Sequence, residues 1–148
     1  MVEELSKYAS ALNTLGQAIT TNTNFHRIPV YYDMVELIQD DMPTTAIVLQ
    51  GKSFELDDSR CNYLKQLDIL IIHNTNHTRS ITLRLTKYAE DMKDIIDDVM
   101  LNVNDFDLEF LQGSEIRSMR NNREDAESYK GSKTLFSSLI VLSYLLRY

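Results

Sequence analysis

Several groups of residues have the types that chemistry uses, and each must also meet the spacing that chemistry needs. Gln50-Gly51-Lys52-Ser53 carries the closing Gly-Lys-Ser of a phosphate-cradling loop. The full loop needs a further glycine at position 46, where this chain has Ala46, and a helix opening behind the serine to aim its amides at phosphate. Phe54-Glu55-Leu56-Asp57-Asp58 is a poor helix start, so the segment is expected to be a tight turn between strands. His73 and His77 stand four apart, which on one helix would bring two imidazoles to a metal. Here a strand end and the run Asn74-Thr75-Asn76 separate them, and no cysteine pair or glutamate motif joins them or His26. Solvated or capping histidines are the expectation, with no metal.

Asp91-Met92-Lys93 has the Asp-x-Lys spacing of some metal-dependent nucleases, which hold the two groups on adjacent strand positions. In this chain the triplet falls inside the strongest helical pattern, where its charges form a solvated face. Ser137 and Ser138 lack the glycine elbow that exposes a nucleophilic serine. Cys61 sits beside Arg60, which favours a thiolate slightly, but a lone cysteine without a positioned base is ordinarily a packed side chain. The expectation is a protein that is not an enzyme and uses no cofactor.

Composition bounds the rest. A chain of 148 residues, 43% hydrophobic and 25% charged, has the size and apolar content of one globular domain rather than a disordered segment. Twenty-two acids against fifteen Lys and Arg give a net charge of −7, which argues against a main role in gripping nucleic acid. The single cysteine excludes an internal disulfide and fits a reducing cytoplasm. The start of the chain lacks the pattern of a signal peptide. Leu135 to Leu146, the most apolar stretch, is broken by serines and falls short of the roughly 20 residues a membrane helix needs. A soluble protein made in the cytoplasm is expected, with no membrane partner.

The elements that must position these residues follow from periodicity. Leu5, Tyr8, Leu12, Leu15 and Ile19 recur at helical spacing, predicting a helix over Glu3–Thr20 that ends in the run Thr20–Asn24. Ile28–Tyr32, with Pro29, predicts an edge strand, and Thr44–Leu49 a second strand. Met34–Met42 fits a helical turn or a ragged strand equally. Tyr63–His73 turns apolar on both faces, the pattern of a buried central strand. Leu85, Tyr88, Met92, Ile95 and Val99 predict a second helix over Ile81–Leu101, with Asp91, Asp94, Asp97 and Asp98 as a candidate acidic surface. Phe106, Leu108 and Phe110 alternate with acids and predict a half-buried strand, and Glu115–Met119 is a further strand candidate. Arg120–Lys133 is expected to be an exposed loop. Leu135–Tyr148 satisfies either period, and its β-branched and aromatic content favours a strand. The predicted fold class is α+β: one domain over 1–148 with a mixed, mostly antiparallel sheet flanked by two helices, in the order α-β-β-β-α-β-β.

Taken together, the amphipathic first helix, Arg27-Ile28-Pro29-Val30-Tyr31-Tyr32, Pro43 leading into Thr44–Leu49 and Gly51, Leu67–Ile72 followed by the helix Thr82–Leu101, and a Leu-rich close ending in Tyr148 form a pattern. That pattern resembles the tail terminator (tail completion) proteins of long-tailed bacteriophages. The resemblance implies a virion protein at the head–tail junction, forming a homo-hexameric ring that caps the tail tube, stops its polymerisation and offers a docking surface to the head–tail connector. Genome DNA would only pass through the ring's lumen, and an acidic wall would repel it. Candidate interface residues are Ile28, Val30 and Tyr32 on one expected edge strand, Leu139, Val141 and Tyr148 on a C-terminal one, and Arg117, Arg120 and Arg123 at the loop by which the chain departs from the family pattern. The rivals are another neck, adaptor or minor tail protein, an acidic inhibitory binding protein of the immunity type, and, third, a small nuclease dependent on Asp91 and Lys93.

Overall fold

The computed structural model describes residues 6–32, 45–56, 63–74, 81–120 and 136–148. Glu3 and Glu4, Met34–Met42, Cys61, His77 and most of the expected 120–133 loop, Arg123 included, lie outside the described residues. Within them the chain is an α+β domain with two helices on one face of a mixed sheet.

Helix α1 (Lys7–Thr21) starts at Ser6, whose Oγ accepts from the amide of Ala9 at 3.1 Å and so satisfies one of the free donors of the first turn. It buries Leu12, Leu15 and Ile19 of the predicted stripe together with Ala11, while Tyr8 is half-buried and Leu5 lies outside the described residues. Its end is set by side chains that compete for the backbone: Thr21 donates to the carbonyl of Gln17 at 2.9 Å, and Asn22 Oδ1 accepts from the amide of Asn24 at 2.9 Å. Phe25 follows in the turn and is fully buried, its ring 5.5 Å from that of Tyr88.

The strands are β1 (Val30–Tyr31), β2 (Thr45–Leu56), β3 (Tyr63–Asn74), β4 (Asp107–Gly113), β5 (Arg117–Arg120) and β6 (Phe136–Arg147); helix α2 (Ile81–Asn102) falls between β3 and β4. Their spatial order is β1-β2-β3-β6-β4, with β5 also on β6. Among the described residues only the β1–β2 pair is parallel. Strands β4 and β5 lie end to end along one side of β6, β4 beside Leu142–Arg147 and β5 beside Phe136–Leu139. Ser114 bridges the gap between them. Its amide donates to the carbonyl of Val141 at 2.8 Å, and its Oγ accepts from the amide of Val141 at 3.0 Å, so a hydroxyl stands in for a missing ladder carbonyl. Among the described residues three strands follow the second helix, at the three segments read as strands or strand candidates and one more than the order α-β-β-β-α-β-β counts.

Two further expectations are corrected. The C-terminal segment is a strand, but it is central rather than an edge: β6 pairs with β3 on one side and with β4 and β5 on the other. Ile140, Leu142, Tyr144 and Leu146 are buried in the main core on its helix-facing side, and Leu139 and Ser143 are buried on the opposite face. Gln50–Ser53 is not a turn between strands. It lies within β2 at a register shift between Gly51 and Phe54, and Gly51 is glycine because the Tyr8 phenol and Lys65 side chain pack where a Cβ would stand.

Period-two alternation then divides the sheet. Ile47 and Leu49 of β2, Leu67, Ile69 and Ile71 of β3, and Ile140, Leu142, Tyr144 and Leu146 of β6 meet α1 and α2 in the main core, joined by Leu15, Ile19, Leu85, Met92 and Ile96. The opposite face holds a smaller cluster of Ala46, Val48, Ile72 and Leu139.

Candidate subunit interface

Among the described residues the sheet ends in β1 on one side and in β4 with β5 on the other. An edge strand carries backbone donors and acceptors that can pair with another chain. In β4 only Leu108 is buried. Phe110 packs edge-on against Tyr144 at 5.4 Å yet is 53% exposed. Leu111, the extra residue of a bulge between Phe110 and Gln112, is 47% exposed. Asp107 and Glu109 are exposed beside them, Glu109 approaching Arg147 at 3.8 Å. The strand signature of Phe106–Phe110 was legible in the sequence. Its edge position was not, because that depends on β6 folding back between β3 and β4.

The expected interface residues separate into groups. Ile28 and Val30 are half-buried against the main core, and Tyr32 is exposed where β1 ends. Exposed Arg27 and His26 precede that edge. Arg117 and Arg120 bound β5 on the β4 side of the sheet. Leu139 and Tyr148 are buried inside the chain and Val141 is half-buried, so these three belong to the fold's interior rather than to an edge.

On α2 the acids face outward. Asp94, Asp97 and Asp98 are exposed, and Asp91 pairs with Lys87 one turn earlier at 3.3 Å. Asp94 and Asp98 also line a cleft with Thr21 and Asn22 at the end of α1. Burial, reinforced by the charge of Asp97, pushes the Tyr144 phenol up to about 12.

Two polar clusters are built into the sheet. On the face away from the helices, the buried carboxylate of Asp68 meets the ammonium of Lys52 at 2.8 Å, the hydroxyl of Ser143 at 2.8 Å and the amide of Gln66 at 3.2 Å. Burial pushes its pKa upward, but these donors and the Lys52 charge outweigh that and hold it below the usual carboxylate value. A lone Asp within Leu67–Ile72 was the available signal of a buried, partnered carboxylate. On the helix side, His73 Nδ1 lies 2.7 Å from Thr45 Oγ1, and its Nε2 lies 3.5 Å from Arg84 Nη1. Lys52 of the Gly-Lys-Ser segment is thus committed to Asp68, and His73 to Thr45 and Arg84. Asp91 and Lys93 lie on a helix, and Ser138 is buried in β6. Among the described residues no group of three or more His, Cys, Asp or Glu could hold a metal ion, and no helix is long and apolar enough to cross a membrane. No protein-family model matches the chain, and no curated protein matches it significantly.

Proposed function

We propose that the chain is a structural subunit of the tail-terminator kind, assembling into a hexameric ring that caps a tail tube, halts its growth and receives the head–tail connector. The observation that carries this reading is the β4 edge, where exposed apolar Phe110 and Leu111 lie on a strand paired along one side only among the described residues. Sheet extension between subunits uses such an edge. Charge supports a head-to-tail arrangement. Pairing β4 with β4 of a second copy would set Asp107 and Glu109 against their equivalents, whereas the opposite edge, at β1, is preceded by His26 and Arg27. Head-to-tail contacts of this kind close into rings when the rotation between copies permits. The acidic row of α2 is available to line or flank a passage for DNA without binding it. Adding the chain to its cognate tail-tube protein during polymerisation tests the reading. Tubes should stop growing and carry the chain at one end in electron micrographs; unrestricted tubes with bare ends would overturn it.

A further inference from the structure

His73 is a buried titratable group that the proposed assembly role leaves unused. It is 3% exposed and touches two elements at once, Thr45 on β2 and Arg84 in the first turn of α2. Across β6 its register partner is Ser138, so among the described residues the charged group facing the imidazole is Arg84. A hydrogen bond from Arg84 to Nε2 selects one tautomer of the imidazole. A guanidinium has only N–H donors, so in that bond Nε2 is the bare, accepting nitrogen, which leaves the hydrogen on Nδ1 to be donated to Thr45 Oγ1. Adding a proton to Nε2 sets donor against donor and charge against charge at the Arg84 contact, while the Thr45 bond survives. The imidazolium therefore stays on the sheet and the contact with α2 is the one that breaks.

We propose that Thr45, His73 and Arg84 form a proton-sensitive latch that fastens the first turn of α2 to the sheet while His73 is neutral and releases it on protonation. This stands independently of the terminator reading. Burial, with the Arg84 charge added, holds the His73 pKa below its ordinary 6.5. The latch is therefore at full strength above the value of the released state, near 6.5, and is lost as pH falls from there toward the lower latched value.

NMR of the intact chain tests it. The His73 ring should show the Nδ1–H tautomer at neutral pH and gain its proton below the ordinary imidazole value. Amide exchange at Leu85 to Tyr88, corrected for intrinsic rate, should accelerate roughly tenfold per pH unit lost within that window. His73→Gln, which cannot take the proton, should abolish the acceleration; if that variant fails to fold, the tautomer and titration of the native chain decide alone. An Nε2–H tautomer, a titration at or above 6.5, or α2 amides whose protection is unchanged down to pH 5 would each overturn the latch.

Discussion

Replacing Phe25 with alanine lowers the unfolding free energy by about 3–5 kcal/mol, the range for removing a fully buried aromatic ring. Phe25 belongs to neither helix, yet it is the wedge between them: it follows α1 in the turn and its ring meets Tyr88 of α2 at 5.5 Å, tilted by 41°. The turn is fixed by backbone bonds at both ends, the Phe25 amide to the Asn22 carbonyl at 3.0 Å and the Ile28 amide to the Phe25 carbonyl at 2.9 Å. The backbone therefore cannot collapse readily into the space the ring leaves, which places the cost high in its range. Urea unfolding should show a lower midpoint at unchanged slope. Phe25→Leu, which keeps much of the volume, should cost about 1.5 kcal/mol or less. A Phe25→Ala loss under about 1 kcal/mol would contradict the packing described.

Asp68→Ala is expected to cost about 2–3 kcal/mol at neutral pH. Removing the carboxylate leaves the buried Ser143 hydroxyl without its acceptor, a penalty of about 1–3 kcal/mol. Lys52 is 56% exposed and regains water, so the loss stops short of the 3–5 kcal/mol seen when a fully buried pair is broken. Proton linkage gives a second reading of the same site. The folded-state pKa of Asp68 is depressed below 3.8, so its stabilisation is present above the unfolded value and lost as pH falls through the folded one. The stability gap between native chain and Asp68→Asn should therefore be constant from pH 7 to about 5 and narrow in more acid solution. A gap that does not change with pH would show that the charge of Asp68 contributes nothing.

Much of the fold was legible because its helices and central strands obey strong periods. The stripe Leu12, Leu15, Ile19 and the face Leu85, Met92, Ile96, Val99 both emerge as buried. What escaped depends on contacts between distant segments. Leu135–Leu146 announced a strand without announcing its neighbours, so it was assigned to an edge that Asp107–Gly113 and Arg117–Arg120 in fact occupy. Gly51 looked like a turn residue because a sequence shows a missing side chain but not the Tyr8 phenol that fills its place. Lys52 and His73 have the residue types of phosphate and metal ligands, and both have protein partners from other strands or from α2. The exposure of Phe110 and Leu111 follows from the position of β4, which among the described residues pairs with β6 along one side only.

The mass of the native particle tests the central claim most directly. Light scattering coupled to size exclusion, over a concentration series and in the presence of tail tubes, should return six copies per particle for the native chain. Leu111→Lys should leave stability within about 0.5 kcal/mol, because the residue is exposed, while removing the assembled species, because a charge now stands on the pairing edge. A native chain that stays monomeric at every concentration and with tubes present, or a Leu111→Lys variant that assembles unchanged, would contradict the account.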